Sequence, residues 1–220
     1  MAIESVRKVA VSEGWEPSSD ESGEITIHFD SRVDFEVHYA EYPFSDDDIT
    51  VYIGSYRFVS NPSFGHSEET SGEFQIRPES GLLVLRTDQD RPKPRRIFDS
   101  LSEVIDGDTE IDSQFVPERR RVWDFIGRAD NCGQIDVIPP FGSEQSVSFE
   151  DEVGALKDDP ITFEEAFNEY PVKFAELQFD FEGESVSVTY QDDKLVIKTD
   201  DERAREYVMQ IFETAMLAER

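Results

Sequence analysis

The sequence predicts an α+β fold in which a helix–antiparallel sheet–helix unit occurs twice in tandem and the two halves pack as a pseudo-dimer. Three observations support this prediction. Several segments alternate apolar and polar residues with a period of two, which is typical of strands with one buried face. Segments with helical spacing lie before and after these strands, as in α+β folds. A nine-residue segment, LVLRTDQDR at 83–91, recurs as LVIKTDDER at 195–203.

The two copies of this segment align without gaps at an offset of 112 residues, and five of the nine positions are identical. The same offset places DDDIT (46–50) on DDPIT (158–162), Phe74 on Val186 and Ile76 on Val188. At an offset of 110, GEITI (23–27) aligns with GQIDV (133–137). Upstream of these segments, IESVRKVAV (3–11) stands opposite RRRVWDFIG (119–127). Ordered matches of this kind indicate an internal duplication. We predict a first α+β repeat at 1–106, a linker at 107–117 and a second repeat at 118–220.

In the first repeat, the apolar residues of Ala2–Glu13 recur with helical spacing, and Gly14 suits the end of a helix. The segments EITIHFD and RVDFEVHY then predict a β-hairpin that turns at Asp30–Arg32, with His28 opposite Asp34 and Glu24 opposite His38. Three further strands, ITVYI, GEFQI and LLVLR, lead to a closing helix at Pro94–Ile105.

The second repeat begins with a predicted helix at Glu118–Arg128, followed by the strands QIDVI and SVSF. A capping-box pattern at Thr162 predicts a short helix that ends before Pro171. Three strands, AELQFDF, SVSVTY and KLVIKT, and a closing helix at Asp201–Leu217 complete the repeat. We expect Trp15 and Trp123 to pack helices against the sheets.

The composition is strongly acidic, with 50 Asp and Glu against 21 Lys and Arg and a formal net charge of −29. The 17 Phe residues argue for a folded core. Six Lys against fifteen Arg, with carboxylates spread along the whole chain, predict a cytoplasmic halophile protein whose surface binds cations non-specifically in high salt. In about 1 M salt the Debye length is roughly 3 Å, which quenches repulsion between surface carboxylates. A DNA mimic is the alternative explanation.

Cys132 is the single cysteine, which excludes an internal disulfide. The N-terminus lacks the apolar run of a signal peptide, and no stretch approaches 18 apolar residues, so we expect no membrane association. His28, His38 and His66 lack metal-ligand spacing, and DGDTEID (106–112) lacks the Gly and Glu of a calcium loop. Phosphate-binding, hydrolase and metalloprotease motifs are also missing. We therefore predict no catalytic residue, metal or cofactor.

Two basic stretches stand out in this acidic chain, RPKPRR at 91–96 and RRR at 119–121. RPKPRR precedes the first closing helix, where Pro94 suits the first turn. Nucleic-acid binding is not favoured, because the affinity would depend strongly on salt. Four phosphate contacts give a slope of about −3.6 in a plot of log K against log salt concentration. A tenfold rise in salt would then lower the affinity roughly 10³- to 10⁴-fold. A partner protein fits better. The candidate contact residues are Arg91, Lys93, Arg95, Arg96, Arg119, Arg120 and Arg121.

The favoured function is a non-enzymatic adaptor or chaperone-like protein that binds another protein, and the chain itself could also form a homodimer. The order of elements resembles that of small helix–sheet–helix secretion chaperones, which implies paired halves and an exposed apolar strip in the groove between them. An enzyme or small-ligand-binding protein with a site between the halves is the alternative, and it predicts a deep cavity with convergent polar groups. The acidic DNA mimic is the third hypothesis.

Overall fold

The computed structural model describes residues 3–12, 14–60, 67–87, 91–105, 109–138, 145–148, 155–156, 170–191 and 194–218. These residues form a mixed α+β fold with large antiparallel sheet structure and three helices, which confirms the α+β class of the prediction. The chain divides into two units. Unit 1 comprises Met1–Val37 and Phe44–Phe115, and unit 2 comprises His38–Pro43 and Val116–Arg220.

Unit 1 is an antiparallel sheet with one helix. The strands are ordered β1-β6-β5-β4-β3-β2, and β7 pairs with the end of β1. Helix α1 buries Ile97, Phe98 and Leu101 in the same apolar cluster as the inward residues of the strands. The elements are β1 (Ile3–Val11), β2 (Asp20–Ser22), β3 (Ile25–Glu36), β4 (Asp48–Ser60), β5 (Glu68–Arg77), β6 (Leu82–Thr87), α1 (Pro94–Val104) and β7 (Thr109–Ile111).

The opening helix predicted at Ala2–Glu13 is wrong, because this segment is strand β1. Its residues Ile3–Lys8 pair with β6, and Val9–Val11 pair with β7 inside the predicted linker. Four β-branched residues favour an extended backbone here, and consecutive residues from Glu4 to Arg7 are all buried. Burial on both faces removes the period-two pattern that identifies a strand. Unit 1 therefore lacks the opening helix of the predicted helix–sheet–helix unit.

The hairpin predicted at Asp30–Arg32 is also wrong, because β3 is one continuous strand paired along its length with β4. His28 lies opposite Ser55 and Asp34 opposite Thr50. A β-bulge at Asp30 interrupts the register between Phe29 and Ser31. A bulge adds one residue to one strand, so it reverses which residues face the core without reversing the chain. The sequence on either side of the bulge therefore alternates apolar and polar residues as two separate strands would, although it forms one strand.

The described residues of unit 2 form an antiparallel sheet in the order β10-β9-β8-β11-β12-β13 and two helices. The predicted strands and the helices at 118–128 and 201–217 are confirmed, whereas the helix predicted at Thr162 lies outside the described residues. The elements are α2 (Arg119–Gly127), β8 (Asn131–Val137), β9 (Gln145–Ser148), β10 (Ala155–Leu156), β11 (Val172–Phe181), β12 (Glu184–Gln191), β13 (Lys194–Lys198) and α3 (Glu202–Leu217).

Aromatic residues fill the core of unit 2. Trp123 is fully buried, and its indole Nε1–H donates to the carbonyl of Tyr170 at 2.9 Å, which confirms its predicted place in the core. The ring of Phe125 stacks on Phe179 and meets Phe212 edge-on, at centroid distances of 5.5 and 5.3 Å. These contacts join helices α2 and α3 to strand β11. In unit 1, Trp15 is half-buried and packs edge-on against Phe29 and Tyr52.

The last hairpin and the helix after it occur in both units. Phe74 pairs with Leu85 in unit 1, and Val188 pairs with Ile197 in unit 2. Leu85 and Ile197 are 112 residues apart, but the structural equivalent of Phe74 is Val188 and not Val186, as the sequence alignment predicted. The reason is the length of the connection, which spans 78–81 in unit 1 and only 192–193 in unit 2. A shift of two residues leaves the same face buried.

Residues 38–43 belong to unit 2, although the chain on both sides of them belongs to unit 1. The backbone N–H groups of His38 and Tyr39 donate to Gln210 Oε1 at 2.7 and 2.8 Å. Tyr42 donates its hydroxyl to Glu213 Oε2 at 3.0 Å, and both residues are buried. Arg128 donates to the Tyr39 hydroxyl and to Glu41. The polar face of α3 thus fixes the 38–43 segment by hydrogen bonds.

Replacing Tyr42 with Phe removes the hydroxyl that donates to buried Glu213. A buried carboxylate that loses a donor raises the free energy of the folded state, so we expect a loss of about 1–3 kcal/mol in the free energy of unfolding. Urea denaturation followed by circular dichroism measures this loss. Tyr207→Phe is the control, since the Tyr207 ring stacks on Phe181 and its hydroxyl bonds to none of the described residues. Equal losses in the two variants would contradict the role of the Tyr42 bond.

Gly54 in β4 lies directly beneath the ring of Phe74, and a Cβ at this position would lie 2.7 Å from the backbone oxygen of His28. Since a backbone oxygen cannot move without disturbing the β3–β4 ladder, we expect Gly54→Ala to cost about 1–3 kcal/mol of stability. Gly127→Ala is the control, because nothing lies within 4 Å of a Cβ there. Thermal melts of both variants measure the difference, and an unchanged melting temperature for Gly54→Ala would refute the packing described.

Candidate functional site

The RPKPRR stretch leads into helix α1 of unit 1. The helix begins at Pro94, as predicted, and Lys93 is its N-cap residue, with no side-chain hydrogen bond to the helix. No acidic residue lies in the first turn of the helix. Pro92 is buried, whereas Arg91, Lys93 and Arg95 are exposed. The buried proline anchors the stretch, and the basic side chains beside it point to solvent.

Arg96 differs from these three residues because its side chain forms hydrogen bonds within unit 1. Its NH2 group donates to Glu24 Oε2 at 3.1 Å and to Ser60 Oγ at 2.6 Å. Its guanidinium lies over the ring of Phe58 at 5.5 Å from the centroid. Ser60 and Phe58 belong to β4, and Glu24 precedes β3. Arg96 therefore fastens α1 to the sheet by a charge-assisted hydrogen bond and a cation–π contact.

The other three basic side chains have weak interactions or none with the rest of the described structure. Arg95 approaches Asp99 at 3.9 Å, and both side chains are more than half exposed. Such a surface pair contributes little to stability. The side chains of Arg91 and Lys93 form no ion pair or hydrogen bond with any described residue, although the backbone carbonyl of Lys93 accepts the Arg96 N–H at 2.9 Å. We call Arg91, Lys93 and Arg95 the α1 basic cluster.

The RRR stretch lies at the start of α2 in unit 2. Arg121 donates from NH1 to the carbonyls of Met216 and Ala218 at 3.1 and 2.7 Å, so it satisfies free carbonyls at the C-terminal end of α3. Arg119 is half-buried, and its Nε has no hydrogen-bond partner among the described residues. Arg120 is exposed. Arg121 has a structural role here, and partner contact by Arg119 and Arg120 stays a prediction.

Cys132 lies on β8 and is half-buried, with its thiol 3.8 Å from the carbonyl of Ile126. Burial raises the pKa of the Cys132 thiol, which lowers the fraction of reactive thiolate at neutral pH. His28 is exposed, and the ring of His38 packs against Phe181. His66 and residues 106–108 of the acidic loop lie outside the described part of the chain. Within that part, no group of three His, Cys, Asp or Glu side chains is arranged to hold a metal.

The sequence does not predict a concavity that lies on the solvent-facing side of the unit 2 sheet. It encloses about 250 Å³ above four adjacent strands. Small residues lie at its centre and longer polar residues surround them, because the outward positions of β12 are Ser187 and Thr189. We call this concavity the unit 2 dish. Its lining residues are Asn131, Gly133, Glu176, Leu177, Gln178, Ser187, Val188, Thr189 and Lys198.

Exposed apolar surface is sparse. Among the described residues, Val116 and Ile138 are the large hydrophobic side chains left exposed, at 76% and 43%. The described part therefore contains no exposed apolar strip of the kind that a chaperone-like groove requires. None of the helices in this part has the length and apolarity needed to cross a bilayer.

The comparisons with known proteins add no family to these observations: no protein-family model matches the chain, and no curated protein matches it in sequence. The argument for function therefore rests on the site geometry alone.

Proposed function

We propose that the protein is a non-enzymatic binding protein whose α1 basic cluster contacts an acidic segment of a partner protein. The observation that supports this proposal is the exposure of Arg91, Lys93 and Arg95 beside a helix start that has no acidic residue. In a chain with a formal net charge of −29, local positive charge that a partner's carboxylates can approach remains at the unpaired side chains of Arg91 and Lys93 and at Arg95, whose exposed pair with Asp99 is weak.

The contrast with Arg96 and Arg121 supports the same proposal. Those two residues hold carboxylate, hydroxyl or carbonyl oxygens inside the fold. Arg91 and Lys93 hold none among the described residues, so their positions contribute nothing visible to stability. A guanidinium can bind a carboxylate through two parallel hydrogen bonds, and such short contacts persist where salt screens longer-range attraction. The cluster therefore suits close contact better than long-range steering.

A labelled glutamate hexapeptide tests the proposal. Binding is followed by fluorescence anisotropy at the lowest KCl concentration at which circular dichroism shows the chain folded. Neutralising the cluster with Arg91→Gln, Lys93→Gln and Arg95→Gln should weaken binding about tenfold, since each exposed ion pair contributes roughly 0.2–1 kcal/mol and tenfold corresponds to about 1.4 kcal/mol.

The matched control is the triple variant Lys8→Gln, Arg32→Gln, Arg57→Gln, which removes the same charge from exposed positions elsewhere in unit 1. It should bind within about threefold of the unaltered chain. Equal losses in the two triple variants would mean that only net charge matters and would refute the proposed site. Equal or tighter binding of a short DNA duplex would favour a nucleic-acid partner and contradict the proposal.

The proposal also covers why the chain is acidic and how its two units arose. We infer that the acidity adapts the chain to a salt-rich cytoplasm, because the carboxylates are dispersed over both units rather than gathered at one face or tail. We also infer that the units descend from a tandem duplication, supported by the shared hairpin and helix. Phe74 and Val188 are both buried against the helix side of their sheets.

A further inference from the structure

The unit 2 dish is built by four strands that lie side by side in the order β8, β11, β12 and β13. The pairings align one row of side chains across all four strands. Asn131 lies opposite Gln178, Gln178 opposite Ser187, and Ser187 opposite Lys198. Glu176 lies two residues along β11 from this row, opposite Thr189. Since residues two apart on a strand face the same side, all of these positions face solvent together.

The depth of the dish follows from side-chain size. Gly133 lies beside Glu176, and a Cβ at Gly133 would contact Glu176 Cβ and Oε2 at 3.4 Å. The hydroxyl side chains of Ser187 and Thr189 occupy the centre, between β11 and β13. The opposite side of the same strands carries the apolar core residues, such as Phe179 and Val186. The dish is therefore a polar depression on a rigid sheet.

Two opposite charges border this depression. The side chains of Glu176 and Lys198 form no ion pair or hydrogen bond with any described residue, and the side chains between them are short hydroxyls. Their strands are separated by β12, so the two Cα atoms lie roughly 12 Å apart at ordinary strand spacing. The Glu176 carboxylate lies toward Gly133 on β8, and rotation about its side-chain bonds would turn it toward the centre, which the Lys198 side chain is also long enough to reach. A ligand that carries charges of both signs could therefore contact both ends at once.

We propose that the unit 2 dish binds a small zwitterion, with its ammonium group at Glu176, its carboxylate at Lys198 and its central part over Ser187 and Thr189. The charge of the whole chain favours this class. A free anion would be repelled by a protein of net charge −29, and a free cation would meet Lys198, whereas a zwitterion has no net charge. None of the described residues that line the dish is an aromatic on which a sugar ring could stack.

The experiment is a ¹⁵N-resolved NMR titration of the full chain with three probes of increasing charge separation: glycine, γ-aminobutyrate and 6-aminohexanoate. We expect saturable shifts in the amide signals of the dish residues, and tighter binding by one of the two longer probes than by glycine. An equimolar mixture of acetate and methylammonium supplies the same charges without the link between them. It should bind at least about fivefold more weakly than the best probe, because two separate ions lose more translational freedom.

Variants locate the site. Glu176→Gln and Lys198→Met should each weaken the best probe about fivefold, the factor that corresponds to one exposed ion pair. Glu184→Gln and Lys8→Met, which change exposed charges outside the dish, should leave its affinity within about twofold. Circular dichroism confirms that each variant is folded. Equal affinity of the mixed ions, shifts outside the dish, or affinities unchanged by both dish variants would each overturn the proposal.

Discussion

Repulsion among fifty carboxylates is the constraint on which the rest of this structure depends. The fold opposes it with two kinds of contact. Apolar burial joins helices to sheets, as at Trp123 and Phe125, and arginines neutralise carboxylates where elements meet. Arg203 holds Glu182 through two hydrogen bonds, and Arg128 holds Asp124 together with Glu41. The side chains of Arg91 and Lys93 have no such partner among the described residues, and their position beside Arg95 at the start of α1 is the reason for assigning function to the α1 basic cluster.

The sequence was sufficient for the parts of the fold that local pattern determines. Helices α1, α2 and α3 have one apolar face each and were predicted to within a few residues. The unit 2 strands β8, β9, β11, β12 and β13 were predicted about as closely, whereas β4 extends to Ser60, well past the predicted ITVYI. The failures occurred where tertiary contacts override local pattern. Strand β1 is buried on both faces and so imitates helical spacing, and the bulge at Asp30 imitates a turn. Neither fact is encoded within a short window of sequence.

The sites, like the strands and helices, were predictable where local sequence determines them and unpredictable where tertiary contacts do. The α1 basic cluster was visible in the sequence because its residues lie within five positions of one another. The unit 2 dish was not, because it depends on the pairing of β8 with β11, and the residues between them include two further strands. The 38–43 segment was missed for a similar reason: its hydrogen-bond acceptor, Gln210, lies about 170 residues further along the chain. Contacts of this separation require the register of the sheet and the rotation of the helix, which a single sequence does not supply.

Thermal unfolding as a function of KCl concentration tests the central claim most directly. Circular dichroism should be recorded from about 0.1 to 3 M KCl, with an uncharged osmolyte at matched water activity as the control. If repulsion among carboxylates limits stability, the melting temperature should rise steeply with KCl, most of all below about 1 M where the Debye length shortens fastest, and rise less with the osmolyte. A melting temperature that is the same at 0.1 M and 3 M KCl would contradict the account.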